Sequence, residues 1–239
     1  MRALVLVHGM TGAPSAWDAV VRALPSSMPV WRPALLGHRG GPEHAAHFDA
    51  YVDALAAAIS RATREAHVVG YSAGGRVALG LLLRHPQLVR RATLLGAHPG
   101  LLDDDARRAR REDDERWAQL LEHEGIEPFA DAWESQPLFA SQARVEPSVL
   151  AEHRARRRSH EPRALAHAFR VLGLGAMPAR QDALARATTP ITWAVGGDDS
   201  KFRSLLAPYA PRVIADAGHD VVLERPDAVA ALLLEQEAS

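Results

Sequence analysis

Apolar runs of strand length recur along this chain with helix-spaced segments between them. The runs lie near 2–8, 29–33, 66–71, 91–96, 190–196 and 212–215, and helical spacing fills about 14–24, 48–62, 73–85, 180–187, 201–208 and 226–237. Strands alternating with helices predict an α/β fold, a mostly parallel sheet flanked by helices. The alternation breaks between Gly100 and Met177, where charged segments of helical spacing are punctuated by Pro128, Pro137, Pro147 and Pro162. A helical insertion between strands of a parallel sheet sits over their carboxyl ends. Residues 100–177 are therefore expected to form a cap on a core made of 1–99 and 178–239.

One junction in this pattern carries chemistry. The apolar run Ala66-His67-Val68-Val69 leads into Gly70-Tyr71-Ser72-Ala73-Gly74-Gly75-Arg76, and a helical pattern follows until Pro86. Strand, G-x-S-x-G and helix in that order make a nucleophile elbow, a turn so tight that its flanking positions must be glycine. A serine held there needs a base and an acid, which in such folds follow in the order Ser, acid, His. That order removes every histidine before Ser72. His219, in Ala217-Gly218-His219-Asp220 just past the last strand, is the expected base. The acid belongs at the end of the preceding strand, in Gly196-Gly197-Asp198-Asp199; Asp199 is expected, with Asp198 as its alternative.

Two backbone N–H groups must also converge to stabilise an oxyanion. One follows from the elbow itself, at Ala73. The other belongs to the loop after the first strand, His8-Gly9-Met10-Thr11-Gly12, which makes Met10 the second donor and leaves His8 to brace the loop by hydrogen bonding. His44 and His47 are three residues apart with no third ligand evident, so no metal site is expected.

Composition narrows the class. A chain of 239 residues with 47% hydrophobic and 24% charged residues and net charge −1 reads as an ordinary globular protein, with no sign of a nucleic-acid or membrane partner. It has no cysteine, which excludes disulfides, thiolate metal sites and cysteine nucleophiles. The apolar start Met1–Val7 is short and soon interrupted, so a cytoplasmic protein, monomeric or weakly self-associating, is expected.

The cations add a direction. Lys201 is the only lysine among 28 Lys and Arg residues, and it lies two positions past Asp199. Arg76 lies one helical turn past Ser72, where a guanidinium can grip a carboxylate bidentately, unless it pairs with an aspartate of the cap. Asp103-Asp104-Asp105 suits a helix N-terminus, and the arginine-rich segment after it reads as a solvated face with i,i+4 ion pairs. Arg110 is the exception, because it shares a face with Trp117 and would point the same way, toward the catalytic floor. Arg154, Arg156, Arg157 and Arg158 are read likewise, as solvent-facing with one inward member. Arg76, Arg110 and Lys201 around one serine suggest a polyanionic small molecule, where an ordinary esterase pocket would be largely apolar.

Together, Gly70–Ala78, Gly96-Ala97-His98-Pro99-Gly100-Leu101, Arg116-Trp117-Ala118-Gln119, Phe129-Ala130-Asp131, Gln136–Ser141 and Asp199-Ser200-Lys201-Phe202-Arg203 resemble the 2-succinyl-6-hydroxy-2,4-cyclohexadiene-1-carboxylate synthase family of menaquinone (vitamin K2) biosynthesis, which has the α/β-hydrolase fold. The resemblance runs from about Leu4 to Pro226. It implies a cofactor-free lyase that eliminates pyruvate from a tricarboxylate substrate. Ser72 would relay the abstracted ring proton to His219, Asp199 would complete the triad, and the oxyanion hole would hold an enolate oxygen. The resemblance also places Tyr71, Arg76, Arg110, Trp133 and Lys201 at substrate-binding positions. A third binding arginine aligns with Arg157, next to Arg156 and Arg158.

Two departures stand out. Met10 occupies a position usually aromatic in the family, which changes a pocket wall and keeps the backbone donor. The loop after the second strand reads Pro33-Ala34-Leu35-Leu36-Gly37-His38-Arg39-Gly40 instead of D-L-P-G-H-G, which implies different packing. The competing function is a serine carboxylesterase or thioesterase of the same fold acting on small anionic esters.

Overall fold

The computed structural model describes residues 2–238; Met1 and Ser239, the outer limits of the expected core, lie outside them. Strands β1 (Arg2–Val7), β2 (Val30–Trp31), β3 (Glu65–Tyr71), β4 (Val89–Leu95), β5 (Ile191–Gly196) and β6 (Arg212–Ile214) form one all-parallel sheet in the order β2-β1-β3-β4-β5-β6. Around it run α1 (Asp18–Arg22), α2 (Phe48–Ala62), α3 (Ala73–Arg84), α4 (Asp104–Glu124), α5 (Ile126–Glu134), α6 (Pro147–Arg158), α7 (Pro162–Leu172), α8 (Gln181–Ala185), α9 (Ser200–Leu206), α10 (Val221–Glu224) and α11 (Pro226–Ala238).

Alternate side chains of each strand feed two apolar layers, as a pleated sheet requires. Val5, Val7, Val68 and Leu94 pack with α2, α3 and α9 on one face. Leu4, Leu6, Val69 and Leu95 pack with Trp17, α1, α10 and α11 on the other. Helix α2 buries Phe48, Tyr51, Val52, Leu55 and Ile59, spaced three and four apart on one stripe, and His47 caps it by accepting from Ala50 N–H.

The chain leaves β1 for the edge strand β2, then returns to pair β3 on the other side of β1. That reversal opens a crevice at the carboxyl ends of β1 and β3, the place where open α/β sheets bind ligands. The His8–Gly12 loop and Ser72 both sit there. In the loop after β2, Leu35 and Leu36 are fully buried, and Leu35 N–H donates to His8 Nε2 at 3.1 Å. The unusual Pro33–Gly40 sequence thus packs by apolar anchoring, and His8 braces the first loop from its other nitrogen, donating to Gly9 O at 2.8 Å.

Between β4 and β5 the chain is helical, α4 to α8 with a 3₁₀ segment at Pro137–Arg144. Its own small core joins Ala118, Leu121, Phe129, Ala130, Leu165 and Phe169. Asp103 caps α4, its Oδ1 accepting from Ala106 N–H at 2.7 Å. Three arginines of α4 pair one turn back, the half-buried Arg107 with Asp104 and the exposed Arg108 and Arg116 with Asp105 and Asp113, which is i,i+3 and not the i,i+4 spacing anticipated. Three expected helices are shorter than their patterns, near 14–24, 180–187 and 201–208. Residues 14–17 and 207–209 are 3₁₀ turns, each with a proline at its start that removes a helical N–H donor. No helix among the described residues is long and apolar enough to cross a membrane.

Candidate active site

Ser72 joins β3 to α3 with φ 51° and ψ −111°, a strained conformation that lifts its side chain out of the turn. The glycines around it are there for space. A Cβ on Gly70 would lie 2.3 Å from Gly74 O, and one on Gly74 would lie 2.2 Å from Val7 O. Ser72 Oγ is 3.2 Å from His219 Nε2, and His219 Nδ1–H donates to Asp199 Oδ2 at 2.7 Å. Asp199 is fixed by a second bond, its Oδ1 accepting from Phe202 N–H at 3.1 Å at the start of α9. Asp198 is turned outward to Arg144. His219 and Asp199 are buried, and Phe202 and Tyr71 flank the imidazole with ring centroids 4.6 and 5.5 Å away. This geometry gives a serine hydroxyl aimed at a base whose tautomer is set by a carboxylate, so a proton can pass from Ser72 to His219.

Among the described residues, no protein acceptor takes the N–H of Met10 or of Ala73. Both residues line a cavity of about 560 Å³ between core and cap, together with Ser72 and His219. Met10 and Ala73 are thus lining residues beside Ser72 whose N–H groups no protein acceptor takes.

The cavity also gathers Tyr71, Arg76, Arg110, Trp133, Arg157 and Lys201. Arg76 is 7% exposed. It donates from Nη2 to Leu172 O at 2.8 Å, its Nε has no partner, and among the described residues no carboxylate lies within ion-pair distance. Burial, reinforced by the charge of Arg110, lowers its pKa to about 10. Arg110 pairs with the buried Asp114, which also accepts from Gly175 N–H. Lys201 is exposed at the start of α9. His98, from the His-Pro-Gly-Leu run, is held neutral near these cations. Burial first, then Arg76, Arg110 and Lys201, lowers its pKa to about 4.

Of the three consecutive cap arginines, Arg157 is the buried one. It donates to Glu134 Oε1 at 2.7 Å, to His153 Nε2 at 2.9 Å and to Thr11 Oγ1 at 3.1 Å. Arg158 faces out to Glu127, Asp131 and Glu134. Arg156 is half-buried at the cavity's edge. The Trp133 indole N–H is buried without an acceptor on the cavity wall. The Tyr71 hydroxyl stays protonated, since burial and the nearby Asp220, Glu224 and Asp199 carboxylates raise its pKa. His44 and His47 are not partners: His44 packs edge-on against His167, while His47 caps α2.

Three buried residues at or behind the cavity lining escaped the sequence reading. Asp114 is 2% exposed inside a segment that looks solvated. His153 lies four positions before Arg157, a same-face spacing that could have linked them. Asp220, next to the base, is buried with its pKa raised to about 6, by burial first, and its Oδ2 lies 3.8 Å from His153 Nε2.

The buried histidines set an acid limit. Burial is the main cause that lowers His8, His67 and His98 to about 4, His153 to about 3, and His38 well below the ordinary 6.5. Between pH 6.5 and 4 the unfolded chain therefore binds protons that the folded chain refuses, and stability rises with pH across that window. Asp220 acts the other way. Its folded value lies above the ordinary 3.8, so its contribution is lost as pH rises toward 6. With His160, also lowered chiefly by burial, six depressed histidines outweigh one raised carboxyl. Urea unfolding at pH 5 should show a lower midpoint than at pH 7 with an unchanged slope, and an equal midpoint would contradict this account.

The chain matches the model of the alpha/beta hydrolase family over residues 4–232. It is 33% identical over 236 residues to the 2-succinyl-6-hydroxy-2,4-cyclohexadiene-1-carboxylate synthase of Enterobacter sp. (strain 638), covering 97% of this chain and 90% of the relative. It is 32% identical over 240 residues to the synthase of the same name from Klebsiella pneumoniae subsp. pneumoniae, covering 99% and 94%. Among solved structures, MenH from S. aureus superposes with a TM-score of 0.91 at 26% identity, covering 98% of this chain and 92% of that one.

Proposed function

From the premise that this chain belongs to the alpha/beta hydrolase family and, within it, to the 2-succinyl-6-hydroxy-2,4-cyclohexadiene-1-carboxylate synthases, we propose that it is the lyase of menaquinone biosynthesis that releases pyruvate from 2-succinyl-5-enolpyruvyl-6-hydroxy-3-cyclohexene-1-carboxylate. The ring hydrogen beside the succinyl carbonyl leaves as a proton, taken by Ser72 Oγ as Ser72 passes its own proton to His219 Nε2. The carbonyl oxygen gathers negative charge against Met10 N–H and Ala73 N–H. Electrons from the broken C–H bond move through the ring double bond and expel the enolpyruvyl oxygen. A 2,4-diene remains, and the released enolate takes a proton at its methylene carbon to become pyruvate.

Arg76 is the observation that carries this reading. A buried guanidinium with no carboxylate in ion-pair contact, on which Asp114 acts only from a distance, is costly, and it becomes favourable when an anion arrives. It lies one helical turn from Ser72, with Arg110 and Lys201 on the same cavity. The substrate brings three carboxylates. The competing reading, hydrolysis of a small anionic ester, would bring fewer carboxylates to these cations and would leave Arg76 without a contact partner unless its one anion went there.

Incubating the protein with the enolpyruvyl substrate should release pyruvate as the diene absorbance appears, in equal amounts and well above the spontaneous rate. Turnover no faster than the spontaneous elimination, beside efficient cleavage of small anionic esters, would replace the lyase with a hydrolase.

A further inference from the structure

Thr11 has φ +65°, a left-handed conformation in which a β-branched residue is a genuine outlier. Such strain persists only where the surroundings over-determine it. Three segments do so here. Thr11 N–H donates to His38 Nε2 at 3.0 Å, in the loop after β2. Thr11 Oγ1 accepts from Arg157 Nε at 3.1 Å, on cap helix α6. Thr11 O accepts from His160 Nε2 at 3.3 Å, in the turn between α6 and α7. Both imidazoles have their tautomers set from the far side. His38 Nδ1–H donates to Leu36 O at 2.8 Å, and His160 Nδ1 accepts from Arg39 N–H at 3.1 Å. His8, His38 and His160 pack edge to face in a row, with centroids 4.9 and 5.0 Å apart.

The peptide next to Thr11 carries the oxyanion donor. Gly9 O accepts from His8 Nδ1–H at 2.8 Å and from Gly12 N–H at 3.0 Å. In a trans peptide the N–H points opposite to the C=O, so Met10 N–H is directed away from those two donors. The loop between Gly9 and Gly12 is therefore held at its first peptide by the core and at Thr11 largely by the cap. Arg157 is itself immobilised within the cap by Glu134 and His153, which leaves Nε as its reach into the core.

We propose that Thr11 is a positioning residue through which the seated cap holds Met10 N–H in the oxyanion hole. Arg157 and His160 lock the strained residue, and a displaced cap would release the donor and disarm Ser72. This coupling confines reaction to the closed, water-excluding state. It rests on reading Met10 N–H as an oxyanion donor, and not on which substrate is turned over.

Thr11→Val keeps the branched shape and removes the acceptor; Thr11→Ser keeps the acceptor. Two rates are read on each: turnover of the enolpyruvyl substrate, and labelling of Ser72 by a fluorophosphonate, whose phosphoryl oxygen uses the same hole as fluoride leaves. Loss of a whole oxyanion donor costs about 10²–10³-fold, so a loosened one should cost roughly 10-fold or more. Thr11→Val is expected to lower kcat and the labelling rate together by that amount with KM within about 3-fold, and Thr11→Ser to restore both. A purely structural role would lower Tm and spare the labelling rate of the folded protein. From the cap side, His160→Leu should slow labelling, while His160→Gln, which retains an N–H donor, should not. Labelling of folded Thr11→Val or His160→Leu at the parent rate overturns the proposal, as does a Thr11→Ser variant as impaired as Thr11→Val. A parent protein that labels normally without lyase turnover would instead sink the functional reading, and the labelling comparison would still decide the role of Thr11.

Discussion

Ser72→Ala is expected to lower turnover by at least about 10³-fold while leaving the affinity for the substrate within a few-fold of the parent. The first half follows from the triad working as a unit. His219 sits 3.2 Å from Ser72 Oγ and 2.7 Å from Asp199, and loss of one member strands the other two. The second half follows from where the binding groups are. Arg76, Arg110, Trp133 and Lys201 line the same cavity, and none hydrogen-bonds to the serine hydroxyl for its position. Single-turnover kinetics with a separate binding isotherm would check both halves. A folded Ser72→Ala protein that no longer binds substrate would show the serine to be a ligand contact, and the relay role would fall. His219→Ala should match Ser72→Ala in rate, because the proton has nowhere to go without its acceptor.

Why these residues could be found in the sequence, and others not, has a physical reason. The elbow is legible because its constraint is local. Strand, tight turn and helix must be adjacent in the chain, and the glycines record atoms that approach within about 2.3 Å of an added Cβ. Asp199 and His219 are legible because each stands at the end of a strand, where the pattern fixes the position to one or two residues. The cap offers no such ruler. Arg156, Arg157 and Arg158 sweep most of a helical turn, and packing against Glu134, His153 and Thr11 alone decides that Arg157 is inside. Asp114 hides for the opposite reason. Its neighbours on α4 are largely solvated, and beyond the i,i+4 pair with Arg110 its burial depends on Gly175, a contact that is not local. Thr11 contradicts its own propensity, and only bonds from three distant segments make its conformation tolerable. Positions where tertiary contacts override local preference are where sequence reasoning fails, and here they cluster around the site.

Arg76→Met should lower kcat/KM by on the order of 10³-fold and, in the same protein, raise the melting temperature. The two effects share one cause. In the empty site Arg76 is 7% exposed, its Nε is unpartnered and its single hydrogen bond goes to Leu172 O. Its lowered pKa, to about 10, records that burial and the nearby Arg110 oppose the charge. A methionine of similar length fills the space without that desolvation cost, and replacing buried ionic groups by apolar ones is often stabilising by about 1–4 kcal/mol. Each kcal/mol is worth roughly 2–4 °C in a chain of this size. Substrate carboxylate, in contrast, loses a charge-assisted and potentially bidentate partner, a loss of about 2–5 kcal/mol that falls on both KM and kcat if the contact tightens as the ring rearranges. A tricarboxylate ligand should therefore raise Tm of the parent protein and leave the Arg76→Met variant nearly unmoved. Arg76→Lys separates charge from geometry: it should recover part of KM, since the charge returns, and little of kcat, since the fork does not. A variant with lower Tm and unchanged KM would make Arg76 a structural residue that braces Leu172, and the anionic-substrate reading would lose its main support.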